Sequence, residues 1–203
     1  YKRQIRRFAN LSYPMFTAYG SKATNLAELK RILPSVTPDG YAIPFYFYHE
    51  FMLHNGFYSE ATQMINDELF QKFPSVREKR LKEFRKRIKD IGILPGWMLE
   101  KLRAMQDSFE NGITLRARSS TNNEDLQGFN GAGLYESYSH YPDEGHFSKT
   151  AKQVWAGLWT YRAFEEREFW KIDHLTSSMG ILVHPNYKDE LANGVGVTKN
   201  IYI

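Results

Sequence analysis

Apolar residues recur at helical spacing along much of the chain and alternate or run together at a few short places. Ala23, Leu26, Leu29 and Leu33 fall on one face of a helix predicted over Ser21–Leu33, with Gly20–Ser21 as its start and cap. Pro38–Asp39–Gly40 reads as a turn, and Tyr41–Ile43 as a short extended piece ending at Pro44. From about Phe45 to Phe109 the pattern is mainly helical, broken at Asn55–Gly56, Phe73–Pro74 and Gly92–Gly96. Strand character returns at Ile113–Ala117 and at Leu134–His140. A turn over Tyr141–Gly145 then leads into a long helix predicted over about Phe147–Ile172. Its stripe is Ala151, Val154, Trp155, Leu158 and Trp159, continued by Arg162 and Glu166 as a charged i, i+4 pair. Met179–His184 is a nearly continuous apolar run stopped by Pro185, the pattern of a strand buried on both faces, and Gly194–Lys199 reads as its hairpin partner. There is no internal repeat and no low-complexity segment.

Composition narrows the classes. A chain of 203 residues with 42% hydrophobic content can bury a sizeable core as one large domain or two subdomains. The absence of cysteine excludes disulfides and thiolate metal sites, and it permits a reducing cytosol, so the reading is cytoplasmic. No run reaches the roughly 18–20 apolar residues of a membrane span, and the basic opening YKRQIRRF lacks a signal-peptide core. The first residue is Tyr1 and the last, Ile203, falls in what reads as a strand, so the expectation is a piece of a longer protein. The net charge of +4 and a pI near 9.1 come largely from Arg77–Lys89. There Leu81, Phe84, Ile88 and Ile91 recur at helical spacing, so the charges read as the solvated face of an amphipathic helix rather than a nucleic-acid patch.

Candidate chemistry concentrates in Leu115–Ser137, LRARSSTNNEDLQGFNGAGLYES. Arg116 and Arg118 on an apolar-alternating segment precede Ser119, Ser120 and Thr121, and Gly128, Gly131 and Gly133 follow. A strand, a hydroxyl-rich turn and a glycine-rich turn can bring backbone amides to a phosphate, while the arginines offer planar forks to its oxygens. The segment is neither a lysine-terminated P-loop nor a dinucleotide fingerprint opening a helix. Lys22, in the first turn of a helix that follows a glycine, fits a phosphate site and equally an exposed surface lysine. His49 and His54 are five apart, off one helical face, and read as ordinary helix residues.

Taken together, several segments resemble the N-terminal ATP-binding domain of the phosphoenolpyruvate synthase and pyruvate phosphate dikinase family. Gly20–Leu26, GSKATNL, resembles the family's opening GGKxxxL, with serine in place of its second glycine. VTPDGYAIP around Thr37–Ile43 is similar to its PxGFxI element, RSSTNNEDL at Arg118–Leu126 to RSSATxEDL, and FNGAG at Phe129–Gly133 to FAGQ. VWAGLWTYRA at Val154–Ala163 and GVGVTKN at Gly194–Asn200 resemble the later blocks, and together the motifs span almost the whole chain in order.

The resemblance implies an α+β fold of ATP-grasp type, with a mainly helical part over about 1–110 and a β-rich part with a mixed sheet over about 111–203. It implies ATP and Mg²⁺ as cofactors. Lys22 would contact the ATP phosphates, and Arg118 would neutralise charge on the transferring phosphoryl group. Gly131 would sit in the loop over the phosphates with Tyr135 close by, and His184 would stand where the family usually has a glutamine near the adenine. Glu124 and Asp125 would brace the loop, the metal ligands lying beyond Ile203. The implied activity passes a phosphoryl group from ATP to a histidine on a downstream domain and then to a small-molecule or glucan acceptor. GAGLYES also resembles the glucan, water dikinase branch. The alternative readings are a non-catalytic nucleotide- or RNA-binding module and a purely structural domain.

Overall fold

In the computed structural model, residues 3–123, 133–187, 191, 192 and 194 are described. The described residues form five strands: β1 (Arg6–Arg7), β2 (Tyr41–Ile43), β3 (Leu115–Thr121), β4 (Tyr138–His140) and β5 (Met179–Pro185). They build one sheet in the order β1–β2–β5–β3–β4, and every neighbouring pair is antiparallel. The expected mixed sheet is therefore corrected to an antiparallel one among these residues. A hydrophobic pattern marks a strand but carries no information about its direction, which the pairing alone fixes. The first two strands join the sheet through β5, so the part before residue 110 and the part after it share one sheet.

Two layers of helix cover the sheet. On one face lie α1 (Phe16–Tyr19) and α2 (Ser21–Ile32). They close a small core of Phe8, Leu11, Tyr19, Ala23, Ala27, Ala42 and Leu182. The other face carries the larger core. It takes in α3 (Phe45–His54), α4 (Phe57–Ile65), α5 (Glu68–Lys72), α6 (Pro74–Asp90), α7 (Gly96–Gln106), α8 (Ser148–Ala156) and α9 (Tyr161–Phe169). The helical block predicted over 45–109 is present, with its breaks at Asn55–Gly56, before Pro74, and between Asp90 and Gly96. Within α6, Leu81, Phe84 and Ile88 are buried, whereas Ile91, just past the last turn, is exposed.

Several boundaries differ from the sequence reading for physical reasons. The predicted helix over 147–172 is two, α8 and α9, joined by a 3-10 turn at Gly157–Trp159. Thr160, extended at φ −66° and ψ 147°, ends the first segment and caps α9 by accepting the Ala163 N–H at 3.2 Å. All five stripe residues are nevertheless buried. Arg162 is exposed, and Glu166 accepts the Trp170 indole N–H instead of pairing with it. In α2 the buried face is Ala23, Thr24 and Ala27, while Leu29 and Leu33 are exposed; small residues let the helix lie close to the sheet. Ser119–Thr121 belong to β3 rather than to a turn, and Leu134–Tyr135 precede β4 as a turn after Gly133 at φ +72°. Gly128, Gly131, Glu124, Asp125 and the predicted hairpin strand at 195–199 lie outside the described residues.

Candidate functional site

Three of the sequence-selected residues come to the α2 face of the sheet. In β3 the side chains alternate, so Leu115 and Ala117 enter the larger core while Arg116, Arg118 and Ser120 face the other way. Ser120 identifies that other side, because its Oγ accepts the backbone N–H of Ala23 at 3.1 Å. In β5, Arg118 stands opposite Leu182, Arg116 opposite His184 and Ser120 opposite Gly180. Leu182 packs with Ala23 and Ala27 of α2, which confirms the shared face. The start of α2, which carries Lys22, and the strand positions of Arg118 and His184 thus lie on one face of the sheet, contributed by three separate segments.

The local geometry explains why the helix can begin there. Gly20, at φ +83°, is the residue before the first turn of α2 and makes no side-chain cap. Ala23 is the third helical residue, and the acceptor its N–H needs is supplied by Ser120 from another element. A Cβ on Gly20 would lie 2.3 Å from Ser120 Oγ and 2.8 Å from the Ser120 carbonyl carbon, so only glycine fits this junction. Gly180 plays the same part in β5, since a Cβ there would come within 2.8 Å of the Ile43 oxygen and 3.0 Å of the Tyr19 oxygen.

Electrostatically this face is cationic. Arg118 is exposed and has no ion-pair or hydrogen-bond partner among the described residues. Arg116 is half-buried and donates from Nη1 to Ser139 Oγ at 3.0 Å. His184 is buried, and burial together with the charges of Arg118 and Arg116 holds its imidazole below the usual histidine range, against the opposing pull of the Pro185 carbonyl. Its Nδ1 lies 2.8 Å from that carbonyl, so Nδ1–H is the donor and Nε2 is left as an acceptor. A helix N-terminus, a free guanidinium fork and a neutral imidazole acceptor form a face able to receive a ligand with an anionic end and a hydrogen-bond-donating end.

Tyr135 is placed elsewhere. It is buried with the larger core, and its hydroxyl donates to Asn123 Oδ1 at 3.4 Å beside the guanidinium of Arg167. Gly131 lies outside the described residues. Sequence reasoning missed the specific part of Ser120, grouping it with Ser119 and Thr121. Only strand alternation combined with the true extent of β3 would have separated it from its neighbours. Among the described residues no group of three or more His, Cys, Asp or Glu side chains could hold a metal ion, and no helix is long and apolar enough to cross a membrane.

Residues 17–202 match the family described as pyruvate phosphate dikinase, AMP/ATP-binding domain. A relative described as a probable phosphoenolpyruvate synthase, from Staphylothermus marinus, is 29% identical over 184 residues. That alignment covers 81% of this chain and 20% of the relative, so the chain spans about a fifth of that relative's length. The family match takes in all but the first residue of α1, the whole of α2, every strand from β2 to β5 and each residue of the cationic face. The protein belongs to the AMP/ATP-binding domain family of the pyruvate phosphate dikinases.

Proposed function

We propose that this chain is the ATP-binding part of a phosphotransferase of the phosphoenolpyruvate synthase and pyruvate phosphate dikinase type, with an ATP-grasp fold. In this reading it passes a phosphoryl group from ATP to a histidine carried elsewhere in the same protein, and from there to a small-molecule or glucan acceptor. The carrying observation is that the first turn of α2, Arg118 and His184 occupy one face of the sheet, held together by the Ala23–Ser120 hydrogen bond. Lys22 and the α2 N-terminus bind the phosphates, and Arg118 offsets the charge that builds on the transferring group. Phosphoryl transfer depends mainly on such positioning and charge neutralisation. His184 lies at the base end of the site, offering Nε2 to a donor, and Gly131 belongs to the segment over the phosphates. The described residues do not form a cage for Mg²⁺, and no step of this reading runs through a metal.

The test is equilibrium binding of ATP to the 203-residue chain, beside Lys22→Ala and Arg118→Ala, with AMP release measured in parallel. The expected result is saturable ATP binding that each substitution weakens at least about tenfold, the size of a lost charge-assisted contact. AMP release by the chain alone is expected to be absent. Wild-type affinity in both variants would remove the assignment of this face to ATP.

A further inference from the structure

Arg116 stands on the same face as Arg118 and His184, yet the proposed ATP site gives it no part. β3 is paired on both sides, and Arg116 lies opposite Ser139 in β4 and opposite His184 in β5. Ser139, Arg116 and His184 thus form one cross-strand row, in which directly opposed side chains leave the same face about 5 Å apart. The row of Arg118 and Leu182 follows two residues along β3, and the row of Ser120 and Gly180 two residues further. Ser120 meets the start of α2, so Arg116 is four residues of extended chain away from that junction, about 13 Å. The proposed phosphate end of the site is therefore at Ser120 and Arg118, and Arg116 and His184 stand together at the other end.

Their hydrogen-bonding capacities are opposite. His184 Nδ1–H is committed to the Pro185 carbonyl at 2.8 Å, so Nε2 can only accept. Nε2 has no partner among the described residues, and it is not one of the buried atoms left without one. Arg116 donates from Nη1 to Ser139 Oγ at 3.0 Å. That bond tethers the guanidinium and leaves Nε and Nη2 with no acceptor among the described residues, again without burying them. Burial is the main cause that keeps the His184 imidazole neutral, and the charges of Arg118 and Arg116 add to it. An imidazole that accepts beside a guanidinium that donates is complementary to a donor beside an acceptor. Adenine carries that pair, an exocyclic amino group flanked by ring nitrogens. Guanine and hypoxanthine put a carbonyl oxygen where the amino group stands, so two acceptors would face each other at His184. A phosphate offers acceptors alone and leaves Nε2 unsatisfied.

We propose that Arg116 and His184 read the edge of the base together, Arg116 donating to a ring nitrogen and His184 Nε2 accepting from the neighbouring amino group, so that the pair selects adenine over oxopurines. This pairing rests on the ATP reading of the α2 face and adds Arg116 to it as a specificity-determining residue. The experiment measures equilibrium binding of ATP, ITP and inorganic tripolyphosphate to the 203-residue chain and to Arg116→Met, Ser139→Ala, His184→Phe, Lys22→Ala and Arg118→Ala. Tripolyphosphate carries the phosphates without the base and so separates base reading from charge. The parent chain is expected to bind ATP at least about tenfold more tightly than ITP, and His184→Phe to narrow that preference to about twofold. Arg116→Met is expected to weaken ATP at least about tenfold while tripolyphosphate stays within about twofold, which also shows that the variant is folded. Ser139→Ala, which only unties the guanidinium, acts in the same direction and more weakly. Equal weakening of ATP and tripolyphosphate by Arg116→Met makes Arg116 a phosphate ligand and overturns the proposal. Parental ATP affinity in Arg116→Met, or equal affinity of the parent chain for ATP and ITP, overturns it too. In those cases loss of both ATP and tripolyphosphate in Lys22→Ala and Arg118→Ala keeps the ATP reading, so the two fail separately. Parental ATP affinity in both of these variants removes that reading, and the base-reading pair with it.

Discussion

Ser120 and Ala23 are 97 positions apart, yet the helix that carries Lys22 begins where it does because of the bond between them. A side chain from a neighbouring strand here performs the task that a local serine, threonine or aspartate performs at most helix starts. Removing it leaves the Ala23 N–H without its acceptor at a buried junction. Ser120→Ala is expected to cost about 1 kcal/mol in urea unfolding, the usual value of a lost cap. Gly20→Ala is expected to cost more, at least about 2 kcal/mol, because it combines a positive φ with overlap against Ser120. If Gly20→Ala unfolds within about 0.5 kcal/mol of the parent, the close approach of α2 to β3 is wrong.

The segment α8–turn–α9 shows how one apolar stripe can be served by two helices. Trp155 and Trp159 are both fully buried but differ in their indole nitrogens. Trp159 Nε1 donates to Tyr48 Oη at 2.9 Å, whereas Trp155 Nε1 has no acceptor among the described residues. Trp155 is held by its ring packing, with Phe51 at 5.0 Å between centroids. Substitution by phenylalanine removes similar volume at both sites but a hydrogen bond at only one. Trp159→Phe is therefore expected to destabilise by about 1 kcal/mol more than Trp155→Phe, because it also leaves the Tyr48 hydroxyl without its donor. Chemical denaturation of the two variants side by side decides this, and an equal or reversed order contradicts the assigned bond.

Across the whole molecule, four histidines are shifted downward with burial as the leading cause: His140, His146, His174 and His184. Each has a folded pKa below the ordinary histidine value of 6.5, which applies once the chain unfolds. As pH falls through that value the unfolded chain binds protons that the folded chain refuses, so the folded state loses stability. The contribution is fully present above the unfolded value and disappears as pH falls through the folded ones. Thermal unfolding at pH 7.5, 6.5 and 5.5 should give a midpoint that decreases along the series. This window lies above that of the lowered carboxyls of Glu28, Asp67 and Glu144, whose ordinary values are 4.5 or below and whose loss follows at lower pH. A midpoint unchanged between pH 7.5 and 5.5 would contradict neutral, buried imidazoles.

Much of this protein is local in origin and therefore legible in its sequence. Helical periodicity places α2, the block from α3 to α7 and the Trp155–Trp159 stripe, because a helix buries residues three and four apart whatever it packs against. The continuous apolar run at Met179–Val183 marks a strand covered on both faces, and all of it is buried. The ordered motifs around Lys22, Arg118 and Gly194 carry the family, because close backbone approach and charge both require particular residue types. What the sequence does not contain is partnership. Strand direction, the place of β5 between β2 and β3, and the extension of β3 through Ser119–Thr121 all depend on hydrogen bonds to distant residues. The same is true of the site. Positions 118 and 184 and the start of α2 share a face only because Arg118 is in register with Leu182 and Arg116 with His184, while Ser120 fixes the start of α2. Tyr135, near the glycines in sequence, turns into the larger core because its ring is better buried there than beside a cationic face. Residue type and spacing decided which elements form and what chemistry they carry; tertiary packing decided which of those residues meet.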